Sequence, residues 1–149
     1  MNHQGVSQIF FEETYTVPAD QTAKSLFARL PHGSEYAERL IECLATGYLV
    51  AVIESICIRE MQLHVDATRE VVVGRTIRID HRGPIPPGSP LRLRGWLERL
   101  GDTSATFRVQ AHDAHEVVCE ATVTLVAAER DQMDSRIATK VLALQCAGS

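Results

Sequence analysis

"ATGYLVAVIESICIREM", residues 45–61, reads as a helix that wants to be buried. Ala51, Val52, Ile53, Ile56, Cys57 and Ile58 surround a single acid, Glu54. The run extends to about Met61 or His64. Thr46 stands where its hydroxyl can cap a free N–H of the first turn. A helix apolar on nearly every side needs more cover than one small sheet supplies. A carboxylate inside such a run has two explanations. It reaches a water-filled groove or pairs with a cation such as Arg59 or Arg78. Alternatively it is reactive, because burial makes a carboxylate a stronger base or nucleophile.

Downstream the hydrophobic period changes from 3.6 to 2, which marks strands. In "VVVGRTIRIDH", Ile77, Ile79 and His81 share one face, and Thr76, Arg78 and Asp80 the other. "GPIPPGSP" is a rigid loop. In "LRLRGWLERL", Leu91, Leu93 and Leu97 alternate with Arg92, Arg94, Trp96 and Glu98. Ala105, Phe107, Val109 and Ala111 alternate with Thr106, Arg108 and Gln110 in the next segment. Cys119, Ala121, Val123 and Leu125 alternate with Glu120, Thr122 and Thr124 in the last. Tight turns join these three strands into an antiparallel meander.

Upstream, "SQIFFEETYTV" is aromatic and β-branched and reads as a first strand ending at Pro18. "PADQTAKSLFARL" holds a short helix, broken at Pro31-His32-Gly33-Ser34. "EYAERLIECL" reads as a helical approach to the long helix. From about Asp131 the chain is helical again, with frayed last residues. The expected architecture is α+β, one domain over residues 1–149, with an antiparallel sheet wrapped around the long helix. The uncovered side of that helix predicts a homodimer or a higher oligomer.

The 149 residues, 45% apolar and 23% charged, suit one soluble domain with a real core. A net charge of -4 argues against non-specific nucleic-acid binding. "MNHQGVSQIF" lacks a signal-peptide pattern, and no apolar run approaches the roughly 20 residues that span a bilayer. The expectation is a cytoplasmic protein without membrane or nucleic-acid partners. Cys43, Cys57, Cys119 and Cys146 have neither zinc-site nor redox-pair spacing and read as reduced. No metal-ligating histidine pair, phosphate loop or serine elbow is visible. No metal and no cofactor are expected. His112 and His115 sit in a hairpin and read as surface residues.

"ATGYLVAVIE", the glycine of "VVVGRTI", "IDHRGPIPPG" and "RVQAHD" together give the chain a resemblance. It resembles the hotdog-fold thioesterases, and within them the fluoroacetyl-CoA thioesterase family, over roughly residues 9–128. The spacing of Thr46, Glu54 and His81 makes the match specific. The resemblance implies a homodimeric hotdog fold with active sites at the subunit interface. It implies hydrolysis of an acyl-CoA thioester by Thr46, Glu54 and His81, with Gly74 as the strand glycine and coenzyme A present only as part of the substrate. Fluoroacetyl-specific members carry a phenylalanine lid before the helix. The matching segment here offers Tyr36, Leu40 and Leu44 to the substrate and no phenylalanine, so hydrolysis is expected without fluoroacetyl selectivity.

Each residue also has a local explanation. Thr46 can be a cap alone, although helix N-terminal N–H groups also stabilise an oxyanion. His81 continues an apolar face and can be a hydrogen-bonded core residue. Its place at a strand end before a rigid loop also suits a general base. Glu54 lies eight positions after Thr46, about 12 Å along one helix axis. Substrate must bridge the two, or a dimer must bring one from each subunit. Among Arg75, Arg78, Arg82, Arg92 and Arg94, guanidinium groups are available for coenzyme A phosphates. A hydratase would need an Asp–His pair that is absent. The alternative is a non-catalytic hotdog protein that binds acyl-CoA or an acyl carrier.

Overall fold

A computed structural model describes Met1 and residues 8–148. Five strands, β1 (Phe10–Thr16), β2 (Glu70–His81), β3 (Pro90–Leu100), β4 (Ser104–His112) and β5 (Val117–Glu129), form one antiparallel sheet. Its spatial order is β1-β3-β4-β5-β2. Ser7, at the start of the expected first strand, lies outside the described residues. The helices are α1 (Ala23–Phe27), α2 (Thr46–Gln62) and α3 (Arg130–Ala147).

The expected period-2 faces pair across the meander. Ala105 faces Leu125, Phe107 faces Val123, Val109 faces Ala121 and Ala111 faces Cys119. All eight side chains are buried. Helix α2 lays Leu49, Ile53, Ile56, Cys57 and Met61 into the same core. These positions recur every three to four residues, as one face of an α-helix requires. On the opposite sheet face the Thr106 and Thr124 hydroxyls meet at 3.1 Å. Strand β2 is twelve residues long and, among the described residues, pairs only with β5, which leaves its other edge without a strand partner. Between Gly74 and Thr76 the β2–β5 register shifts and Arg75 bulges out.

Three local expectations change. Residues 35–44 do not form a helix. They make 3-10 turns at Gly33–Glu35 and Ala37–Arg39 and then run extended, where Leu44 bridges to Thr22. A Cβ at Gly33 would lie 1.8 Å from the Phe27 carbonyl oxygen, so this turn is packed directly on the α1 backbone. Helix α3 continues to Ala147 instead of fraying and buries none of its residues. His112 is half-buried, and its Nε2 is buried without a hydrogen-bond partner among the described residues. The strip Gly47, Ala51 and Ser55 of α2 is exposed, so the helix is covered on one side only. No helix among the described residues is long and apolar enough to cross a membrane.

Candidate active site

Thr46 is the first residue of α2, not its cap. Ala45 holds the cap position and makes no side-chain bond there. The hydroxyl of Thr46 is instead 2.9 Å from His81 Nδ1, in a hydrogen bond. In a neutral imidazole one ring nitrogen donates and the other accepts. Nε2 of His81 is buried and has no hydrogen-bond partner among the described residues. A buried polar atom of that kind calls for a partner from water, substrate or another chain.

Backbone bonds hold this pair in place. Ala45 N–H donates to the Gln21 carbonyl (3.0 Å), Leu44 N–H to Ile85 (2.7 Å) and Ala23 N–H to Cys43 (2.9 Å). The start of α2 is thereby clamped between the chain before α1 and the proline-rich loop. That loop is anchored by Ile85, which is fully buried. At the end of β2, the N–H groups of Arg82 and Gly83 donate to the Val118 carbonyl. His81 therefore sits on a strand end fixed from both sides.

The Thr46–His81 pair opens into a cavity of about 540 Å³, with Phe27, Ile41, Cys43, Leu44 and Pro84 in its wall. Of the candidates offered to the substrate, Leu44 lines it. Tyr36 and Leu40 do not. Tyr36 acts one step back, its ring 6.1 Å from that of Phe27. Phe27 was the residue missed. It sits in α1, upstream of the motifs that carry the resemblance, and only the packing of α1 onto the start of α2 brings it to the cavity.

Glu54 lies elsewhere. It is half-buried on the side of α2 that faces β2, and its carboxylate lies over Gly74. A Cβ at Gly74 would be 1.8 Å from Glu54 Oε1. The glycine thus makes room for the acid instead of opening the Thr46–His81 cavity. The expected arginine partners are not there. Arg59 binds Glu13 (2.6 Å) and Glu60 (2.8 Å). Arg78 makes no ion pair with Glu54. Among the described residues Glu54 has no hydrogen bond and no salt bridge. The chain brings Thr46 to His81 and Glu54 to Gly74, and keeps the two pairs apart.

Of the five arginines, Arg82 is held by Asp80 (2.7 Å) and Glu120 (2.6 Å), and Arg94 by Glu12 (2.7 Å). Arg75, Arg78 and Arg92 are exposed. Cys57 and Cys119 are buried free thiols, pushed up to about 12 by burial. Among the described residues no cluster of three or more His, Cys, Asp or Glu side chains forms a metal site.

The family of fluoroacetyl-CoA-specific thioesterases matches residues 31–131. The chain belongs to this family. It is a thioester hydrolase, and its sheet wrapped on α2 is the hotdog fold. A curated relative, the fluoroacetyl-CoA thioesterase of Streptantibioticus cattleyicolor, is 24% identical over 130 residues, covering 87% of this chain and 90% of that protein. A solved structure of the fluoroacetyl-CoA thioesterase FlK superposes with a TM-score of 0.78 at 23% identity, covering 89% of this chain and 95% of that one. A hot-dog-like protein from Thermanaerovibrio acidaminovorans gives a TM-score of 0.74 at 13% identity, covering 90% and 91%. Helix α3 begins where the family match ends.

Proposed function

We propose that this protein hydrolyses a short or medium acyl-CoA, through Thr46, Glu54 and His81, without a strong preference for the fluorinated acetyl group. The observation that carries the reading is the Thr46–His81 hydrogen bond at the mouth of an apolar cavity. In the reaction, water adds to the thioester carbon, the carbon–sulfur bond breaks, and the products are a carboxylate and the coenzyme A thiol. Glu54 activates the water, or it attacks the carbonyl itself, expelling the thiolate and forming an anhydride that water then hydrolyses to free Glu54. His81 takes up a proton and then delivers one to the departing thiolate. Thr46, bonded to His81, orients water or substrate. Coenzyme A enters only as the leaving group of the substrate, and no further cofactor takes part.

The reading includes a homodimer that completes the site. Thr46 and Glu54 are about 12 Å apart along one helix. The free edge of β2 and the exposed strip of α2 leave both Glu54 and Gly74 next to uncovered surface. A second copy docked there sets its Glu54 toward the first copy's Thr46 and His81.

Glu54→Gln tests the role of the acid. It keeps size and hydrogen bonding and removes the base. Free thiol release from acyl-CoA should fall by about a hundredfold or more. Thermal stability should hold or rise, because an unpaired charge has been removed. A destabilised protein with full activity per folded molecule would make Glu54 structural and end this reading. A protein that binds acyl-CoA without releasing thiol would support a sequestering role instead.

A further inference from the structure

We infer that the cavity beside Thr46 and His81 selects an uncharged acyl chain of medium length, with Phe27 and Ile41 as the residues that set the preference. The inference rests on the thioesterase reading above and narrows its substrate.

Size comes first. The cavity is open on one side, and its volume of about 540 Å³ is of the size that accommodates a small ligand. An acetyl group carries one methyl beyond its carbonyl and would leave nearly all of that space to water. Polarity comes second. Apart from Thr46 and His81, the one ionic side chain in the wall is Arg82, and its guanidinium is already bound by Asp80 and Glu120. A free carboxylate on the acyl group would meet no unpaired guanidinium there, and burying it unpaired is costly. The rim comes third. Ile41 is 65% exposed, a large apolar side chain in water at the entrance to an apolar cavity. Phe27 is half-buried in the wall of the same cavity, packed against the Tyr36 ring. An acyl chain lying between Phe27 and Ile41 removes both from water. An acetyl group has no chain beyond its one methyl to lie between them.

The test is a series of saturated acyl-CoAs from acetyl to decanoyl, read as kcat/KM for thiol release by the full chain. The expected result is a rise of about fourfold per methylene, the equivalent of burying one CH₂, until the cavity is filled. Ile41→Asp should lower the hexanoyl-to-acetyl ratio by about tenfold or more, since a charge at the rim opposes the buried chain. Ile41 is exposed, so the variant does not threaten the core, and circular dichroism confirms its fold. A flat or falling series with turnover intact overturns this inference and leaves the thioesterase reading standing. A rising series that Ile41→Asp does not flatten shows that the chain lies elsewhere and also overturns it. No thiol release from any member of the series overturns the thioesterase reading itself.

Discussion

At Gly74 a single methyl group distinguishes a placed carboxylate from an incidental one. The added carbon of Gly74→Ala would meet the far end of the Glu54 side chain, which can swing away. The expected stability change is therefore small, about 1 kcal/mol or less. The expected loss of activity is larger, on the order of a hundredfold, because displacing a reacting group by an ångström has that effect. Melting temperature and kcat/KM on one preparation check both. Full activity in Gly74→Ala would mean that the acid does not need its seat on the strand. Cys57 and Cys119 bear on stability at high pH. Burial raises both thiols from about 9 in the unfolded chain to about 12. Between those values the folded state holds protons that the unfolded state has lost. Stability is then fully present below about pH 9 and declines as pH rises toward 12, by at most roughly 1.4 kcal/mol per pH unit for each thiol. Denaturant melts at pH 8 and 10.5 should show the decline, and Cys57→Ala and Cys119→Ala should each make it shallower. An unchanged slope in both variants would exclude the thiols as its source.

Helix α2 was legible because its apolar residues recur at helical spacing and its core face is Leu49, Ile53, Ile56, Cys57 and Met61. The approach segment was not legible by the same means. "EYAERLIECL" has helix-forming residues, but contacts with α1 decide its path: Gly33 against the Phe27 backbone and Leu44 bridged to Thr22. Tertiary contact outweighed propensity there, as it does in short segments with little to gain from helix formation. Helix α3 is the reverse case. Its eighteen residues form a regular helix, none of them buried, and Arg130 ties its start to the domain by donating to the Ala67 and Glu70 carbonyls. Truncation after Arg130 should therefore shift the melting temperature by less than about 4 °C. Differential scanning calorimetry checks this. A larger drop would show that Ile137, Val141 and Leu144 are covered in the assembled protein.

At the scale of the molecule, the free edge of β2 is the feature that most needs an explanation. A twelve-residue strand edge that has no partner strand among the described residues is a ready template for pairing. Light scattering should return twice the chain mass of 16.5 kDa at micromolar concentration. Complementation tests what the dimer is for. Thr46→Val and Glu54→Gln chains are each expected to be inactive alone. Co-expressed, they should regain about a quarter of wild-type activity if each site takes Thr46 and His81 from one chain and Glu54 from the other, since half the dimers mix and one of their two sites is intact. No recovery in demonstrably mixed dimers would place all three residues in one subunit and require the substrate to bridge them.

The sequence by itself determined the sheet faces, the buried helix and the residues of interest, because periodicity and spacing are local properties of a chain. The strand alternation of Phe107, Val109, Ala121 and Val123 specifies which side is core before any partner strand is known. Only the tertiary structure decided which candidates meet. Thr46 reads as a helix cap until His81, thirty-five residues later, arrives 2.9 Å from its hydroxyl. Glu54 reads as half of an ion pair until Arg59 is found on Glu13 and Glu60, and Gly74 beneath the carboxylate. Phe27 has no visible role until α1 folds against the start of α2 and puts it in the cavity wall. Each of these depends on long-range docking, which no local pattern of residues encodes.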